Sequence, residues 1–180
     1  MRKAFTLIEV NLAMLIMAGG ILSIVGLYAF GFRESRQGRE DVAASALADA
    51  VVSPLVMAAS ATNLQWSVFK NIESFPSKQG WGDYIDDTTG VVKENPDAKA
   101  KSTYSGFVSA LKGAAKGTLQ VPEFPQSALN KSGLMCGLVV IHKRDSAVLT
   151  IAFRATDKAG GLMSMPLFFT QVRFQGIIDQ

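Results

Sequence analysis

The chain has 180 residues, a formal net charge of +3, and only 18% charged residues. Setting aside a membrane-length segment leaves enough residues for one modest domain with a viable core. The small net charge gives no argument for nucleic-acid binding, and a single cysteine, Cys136, excludes an intrachain disulfide. Because Cys136 lies in a strand-like apolar run, it is interpreted as a small buried hydrophobe.

The N-terminus joins a short basic leader to a long apolar segment. Arg2 and Lys3 precede Ala4, and then come Phe5-Thr6-Leu7-Ile8-Glu9. No charged residue follows from Val10 to Phe32, a length sufficient to cross a membrane as a helix. A carboxylate at the lip of such a segment is unfavourable, since a charged residue at the bilayer centre costs roughly 2.5–3.5 kcal/mol on insertion scales and usually has a partner. The pattern therefore raises the question of what Glu9 pairs with.

These N-terminal residues resemble the class III signal of type IV pilins and type II secretion pseudopilins. The resemblance implies that a prepilin peptidase cuts between Ala4 and Phe5 and methylates the new Phe5 amine. Arg2 and Lys3 would hold the leader in the cytoplasm, as the positive-inside rule also predicts. The resemblance further implies that the Phe5 amine pairs with Glu9 of an adjacent subunit and sets the register of a filament. Processing thus involves residues 2–5, and subunit assembly involves Phe5, Thr6 and Glu9.

Two residues depart from the family pattern. Ala4 stands where glycine is usual, and Asn11 stands where an aliphatic residue is usual, so its amide needs a hydrogen-bond partner. The absence of a disulfide favours a pseudopilin or minor pilin over a major adhesive pilin. An ordinary secretory signal has a shorter apolar core, and a plain signal anchor would leave Glu9 unexplained.

Beyond the apolar segment, the sequence predicts a charged collar over Arg33–Arg39 and an amphipathic helix over residues 33–64. An apolar stripe and a polar face recur at helical spacing; the stripe is Leu47, Val51, Leu55 and Ala58, and the polar face is Asp41, Ser45, Asp49 and Ser53. Pro54 interrupts the pattern and predicts a kink or a break, since proline removes the hydrogen bond to Ala50.

Residues 65–180 are predicted to form a globular domain. In its first half, the sequence predicts an exposed polar loop over Thr88–Ser102 and a short helix over Ser105–Lys116. Period-two alternation in the last third indicates three antiparallel strands, with one face on the helix and one facing solvent; they cover about 134–142, 147–155 and 167–176. The predicted class is therefore α+β, a long N-terminal helix packed on a C-terminal antiparallel sheet, which is also the pilin fold that the resemblance implies.

Little in the sequence points to chemistry, and we expect no enzyme, cofactor or metal. His142 is the only histidine and is interpreted as a strand-end residue near solvent. No nucleophile elbow or phosphate-binding loop occurs. An oxygen-rich cluster is interpreted as a solvated turn rather than a calcium site; its members are Asp83, Asp86, Asp87, Thr88 and Thr89. The basic Lys93–Lys101 region lies near Tyr104, but intervening acidic residues argue against nucleic-acid binding.

The sequence therefore predicts a structural subunit of a pilus-like or pseudopilus filament. The expected partners are copies of itself or homologous pilins, prepilin peptidase, an inner-membrane assembly platform and membrane lipid. The expected location is the bacterial inner membrane, crossed once, with the N-terminus cytoplasmic and the C-terminal domain periplasmic or in an external filament. The alternative is a single-pass, membrane-anchored binding or scaffold protein that does not polymerise.

Overall fold

A computed structural model describes residues 6–75, 95–156 and 167–179. The chain divides into two units, Met1–Asp41 and Val42–Gln180. The elements in chain order are α1 (Leu7–Ala59), α2 (Trp66–Phe69), α3 (Pro96–Ala114), α4 (Gln126–Ser132), β1 (Met135–His142), β2 (Val148–Thr156) and β3 (Leu167–Arg173). A long N-terminal helix and a three-stranded antiparallel sheet confirm the predicted α+β class. The two short helices α2 and α4 were not predicted.

Helix α1 continues through Pro54 and ends at Ala59, before the predicted end at residue 64. A proline in a helix interior costs about 3 kcal/mol. Val51 and Leu55 are fully buried on either side of it, and burying each such side chain contributes about 1.5–3 kcal/mol. Packing of this face therefore offsets the lost hydrogen bond, and the predicted break is not found. A kink without a break stays a prediction.

The amphipathic pattern of α1 from Asp41 onward is confirmed. All four residues of the predicted apolar stripe are buried in the core, and all four residues of the predicted polar face are exposed. The core that receives the stripe also contains side chains from α3, β1 and β2. The C-terminal part of α1 is thus an integral part of the domain core.

Helix α3 begins at Pro96, so the loop predicted to run through Ser102 and the helix start predicted at Ser105 are both wrong. The Asn95 side chain accepts hydrogen bonds from the backbone N–H groups of Asp97 and Ala98, at 3.0 and 3.3 Å. Proline at the first helical position is favourable because its missing N–H has no partner there. Cap and proline together start the helix, and a stripe of buried residues continues from its first turns to Ala114.

The sheet has the order β1-β2-β3, and both pairings are antiparallel. Strands β1 and β2 pair from Met135↔Thr156 to His142↔Leu149, and β2 and β3 pair from Val148↔Arg173 to Arg154↔Leu167. The strands lie where the alternation predicted them, although β3 ends at Arg173 rather than at about residue 176. The antiparallel meander is therefore confirmed.

The expectation of one solvated sheet face is wrong for β1. Every residue of this strand except Ile141 is buried. Side chains of α1, α3 and the segment from Phe69 to Phe75 join the same core as Cys136, Leu138 and Val140, whereas Met135 and Val139 on the opposite face are buried outside this cluster. Only β3, where Val172 is the single buried residue, has the predicted half-exposed pattern.

The outer edge of β1 is capped by groups that are not part of a regular strand. Cys136 N–H donates to Asp97 Oδ1 at 2.8 Å. Phe75 and Val140 exchange two backbone hydrogen bonds, at 2.8 and 2.6 Å. Ser74 Oγ accepts from the His142 N–H and donates to the His142 carbonyl, both at 3.0 Å. These contacts satisfy backbone groups that would otherwise form an open edge.

The C-terminal tail is fastened to the segment that follows α1. Ile177 N–H donates to the Leu64 carbonyl at 2.6 Å, and Trp66 N–H donates to the Ile177 carbonyl at 2.9 Å. The Asp179 carboxylate accepts from the Ser67 N–H at 2.9 Å and from the Ser67 hydroxyl. These long-range bonds close the domain by joining its first and last segments.

Gly176 permits the tail to approach this closely. A Cβ atom added at Gly176 would lie 2.2 Å from the Leu64 carbonyl oxygen. Because that neighbour is a backbone atom, relief would require the backbone to move. A glycine is therefore needed at this position for reasons of space.

Candidate functional site

The candidate site is the N-terminal end of α1, where Glu9 lies in the first turn of the helix. Its Oε2 atom accepts a hydrogen bond from the Thr6 N–H at 2.8 Å and another from the Thr6 hydroxyl at 2.9 Å. The Thr6 hydroxyl oxygen in turn accepts from the Glu9 N–H at 3.3 Å. This reciprocal pattern is a capping box, in which a Thr and a Glu three residues later satisfy two N–H groups of the first turn.

The capping box answers, for a single chain, the question of what Glu9 pairs with. The Thr6-x-x-Glu9 spacing is the signal of this motif in the sequence, and it was not predicted above. The contacts place Thr6 and Glu9 together within one chain, and their role in subunit assembly stays a prediction. Among the described residues, both hydrogen bonds to the Glu9 carboxylate come from Thr6 and reach Oε2 alone.

The other four predicted site residues lie outside the described part of the chain. They are Arg2, Lys3, Ala4 and Phe5. The processing position and the Phe5–Glu9 pairing therefore stay predictions.

The helix surface next to Glu9 is apolar and exposed. Every residue from Thr6 to Arg39 is exposed in the single chain, and Leu7 and Ile8 retain 79% and 78% of their accessible surface. Among the described residues, α1 is the one helix long and apolar enough to cross a membrane. An apolar surface of this extent needs lipid or another protein to cover it.

The apolar part of this helix contains four glycines with open space beside them and one hydroxyl bonded within the helix. A Cβ atom added at Gly19, Gly20, Gly26 or Gly31 would contact nothing within 4 Å. The Ser23 hydroxyl donates to the Gly19 carbonyl at 2.8 Å, so it makes its hydrogen bond within its own helix. Small side chains are the usual means by which helices approach each other in a membrane.

His142 is not the solvent-facing residue that the sequence predicted. Its ring is buried, with Nδ1 2.7 Å from the Ile72 carbonyl oxygen and Nε2 2.9 Å from the Ser146 carbonyl oxygen. It also packs edge-on against Phe69. The imidazole joins the segment before Phe75 to the turn between β1 and β2, and we assign it a structural role.

Cys136 is a buried free cysteine, as predicted. Burial raises the pKa of its thiol well above the ordinary value, and the negative charge of Asp97 raises it further. A protonated thiol in this position is a poor nucleophile. Cys136 therefore belongs to the core and not to a reactive site.

The polar regions singled out in the sequence lie partly outside the described residues. Within the described part of the chain, no group of three or more His, Cys, Asp or Glu side chains is placed to hold a metal ion. The predicted oxygen cluster at residues 83–89 and Lys93 lie outside the described residues. Lys101 and Lys112 line a groove between α3 and the segment before α4, and Glu123 lines the same groove. Mixed charge of this kind does not define a nucleic-acid site.

In comparisons with protein-family models, curated proteins and solved structures, no match to this chain was found.

Proposed function

We propose that this protein is a filament subunit of the type IV pilin or pseudopilin kind, anchored in the membrane before assembly. The observation that carries the proposal is the exposed apolar helix that begins at Leu7 and holds one carboxylate, Glu9, in its first turn. Its supports are the class III signal resemblance of residues 2–9 and the α+β arrangement of a long helix and an antiparallel sheet.

In this proposal, Glu9 exchanges one set of partners for another during assembly. In the single chain, Thr6 bonds to Glu9 Oε2. In the filament, the amine of Phe5, freed by cleavage after Ala4, approaches the carboxylate from an adjacent subunit. An ammonium–carboxylate pair removed from water is strongly favoured over either charge left alone there, since breaking such a pair typically costs about 3–5 kcal/mol. The pair then fixes the axial position of each new subunit.

The apolar helices form the filament core in this arrangement, and the domain from Val42 onward forms its outer surface. Covering side chains such as Leu7 and Ile8 with neighbouring helices replaces their contact with lipid. Because lipid is as apolar as these side chains, close packing and the charged pair supply the preference for the filament.

The alternative is a membrane-anchored binding or scaffold protein that does not polymerise. The capping box favours it, because Thr6 already satisfies the Glu9 carboxylate within one chain. In that case Glu9 serves to start the helix, and replacing either capping residue should have the same small effect.

The decisive experiment compares Glu9→Ala with Thr6→Val in the full-length chain, expressed in a bacterial membrane with a prepilin peptidase. Both variants weaken the capping box, but only Glu9→Ala removes the carboxylate. The filament proposal expects wild type to give a cross-linked ladder of subunits, and Thr6→Val, which keeps the carboxylate, to give a ladder that is reduced but present. It expects Glu9→Ala to remain membrane-inserted as a monomer.

Mass spectrometry of the mature N-terminus accompanies the assembly assay. The proposal expects loss of residues 1–4 and an N-methylated Phe5. The absence of a ladder from the wild type, or an intact Met1 in the cell envelope, would refute the filament function and leave the anchored protein as the better account. Equal ladders from all three chains would instead refute the role of Glu9 in assembly.

A further inference from the structure

The ring of His142 faces two hydrogen-bond acceptors, which sets a requirement on its protons. Nδ1 lies 2.7 Å from the Ile72 carbonyl oxygen, and Nε2 lies 2.9 Å from the Ser146 carbonyl oxygen. A carbonyl oxygen accepts hydrogen bonds and has no proton to donate. Both ring nitrogens must therefore carry a proton for both contacts to be hydrogen bonds, and a ring with two N–H groups is an imidazolium.

A neutral ring does not fit this position. Neutral imidazole has one N–H group, so its other nitrogen would turn a lone pair toward a carbonyl oxygen at hydrogen-bond distance. Rotating the ring by half a turn brings carbon atoms to both positions and removes both bonds. The side chain is buried, and a buried polar group that loses its partner is not compensated by water. The two contacts therefore favour the doubly protonated ring.

Nearby charges do not replace these two carbonyl groups as partners. Burial disfavours a charged ring, but hydrogen bonds from a charged donor are about twice as strong as neutral ones. Charged side chains of both signs lie on the segments around the ring, and all are exposed or half-buried; they are Lys70, Glu73, Lys143, Arg144, Asp145 and Arg173. Helix α2 carries none. In the described part of the chain, no carboxylate oxygen lies within ion-pair distance of the ring.

The ring links two segments at the outer edge of β1. Ile72 precedes Phe75, whose backbone caps that edge, and Ser146 lies in the turn between β1 and β2. The same two segments are also joined by the Asp145 N–H, which donates to the Lys70 carbonyl at 3.1 Å. Loss of one proton from the ring would remove one of its two bonds and weaken the link between the segments.

We propose that His142 is a proton-dependent latch, which as an imidazolium holds the Ile72 segment to the β1–β2 turn and after losing a proton loosens the capped edge of β1. The inference goes beyond the proposed filament function and does not depend on it. The folded chain gives both N–H groups a fixed acceptor that the unfolded chain lacks. This stabilisation is therefore complete in mild acid and is lost as the pH rises and the folded ring gives up a proton.

Nitrogen NMR of the full-length chain in detergent micelles tests the charge of the ring directly. Because His142 is the only histidine, isotope-labelled histidine gives ring signals from this residue alone. The proposal expects both ring nitrogens to carry a proton at about pH 7, where free histidine is mostly neutral. It expects one of them to lose its proton as the pH rises further. A bare ring nitrogen at about pH 7 would overturn the proposal.

Hydrogen exchange tests whether the proton closes the latch. The Val140 N–H donates to the Phe75 carbonyl at 2.6 Å, so its exchange reports on the capped edge. After correction for the intrinsic effect of pH, this amide should exchange about tenfold faster once the ring loses its proton. The amide of Phe153, which pairs with Phe168 toward the other end of the sheet, should show no such step.

Two variants assign the step to the ring. His142→Gln has no titrating ring and should show no step. Ser74→Ala is the matched control, because it removes a side-chain bond to the same edge and keeps both acceptors of the ring. It should exchange faster at every pH and keep the step. A wild type without the step, or a step that persists in His142→Gln, would overturn the latch. The NMR measurement needs no variant, so it decides the charge of the ring even where His142→Gln does not fold.

Discussion

Replacing Gly176 with alanine tests how the domain is closed by its C-terminal tail. The added Cβ would lie 2.2 Å from the Leu64 carbonyl oxygen, so the tail must withdraw or the backbone at Leu64 must shift. Either movement disrupts the bonds of Ile177 to Leu64 and of Trp66 to Ile177. Two backbone bonds contribute about 0.5–1.5 kcal/mol each, and overpacking typically costs about 1–3 kcal/mol. We therefore expect the free energy of unfolding to fall by about 3 kcal/mol.

The assay is equilibrium urea unfolding of the full-length chain in detergent micelles, followed by tryptophan fluorescence. A Trp81→Phe background leaves Trp66 as the only tryptophan. Its ring centroid is 5.1 Å from that of Phe174, close to the tail, so its emission reports on this region.

Gly113→Ala is the matched control, because it is the same substitution at an exposed position in α3 where a Cβ contacts nothing within 4 Å. It should stabilise the chain by up to about 1 kcal/mol, since alanine is the better helix former. The reasoning fails if Gly176→Ala is within about 0.5 kcal/mol of wild type, within the range of ordinary surface substitutions, or if the two substitutions destabilise equally.

Two further predictions concern titratable groups. The raised pKa of Cys136 keeps its thiol protonated, so alkylation of the folded chain at neutral pH should be slow and should become fast only in urea; rapid native-state labelling would contradict this. Hydrogen bonds from Ser67 lower the pKa of Asp179 from its ordinary value of 3.8. The ionised carboxylate therefore stabilises the fold above pH 3.8, and this stabilisation is lost as the pH falls through the lower pKa of the folded state. The difference in urea midpoint between wild type and Asp179→Asn should therefore be constant at neutral pH and disappear in acid, and a difference that persists there would exclude this contact as its source.

The local patterns in the sequence were enough to predict the strands and the buried stripe of α1. Leu149, Ile151 and Phe153 alternate with more polar neighbours, and the structure pairs their strand on both sides. Such alternation reports burial directly, because successive side chains of a strand point to opposite faces. Helix periodicity is equally local, which is why the stripe was predicted residue by residue.

Most features that the sequence did not reveal depend on contacts between residues that are distant in the chain. Asp97 is ordinary in the sequence, and its bond to Cys136 joins residues that the fold alone brings together. Burial of His142 also depends on such contacts. Its ring nitrogens lie at hydrogen-bond distance from the carbonyl oxygens of Ile72 and Ser146, which makes a buried position favourable for this polar ring. At the candidate site the missed feature was local, since Thr6 and Glu9 had the spacing of a capping box.

The capped outer edge of β1 restricts where an additional strand can join the sheet. With Asp97, Phe75 and Ser74 already bonded along that side, a foreign peptide cannot add a strand there without first displacing them. Among the described strands, an extended polypeptide that joined this sheet would have to pair beside β3, so misassembly is directed to one side of the sheet.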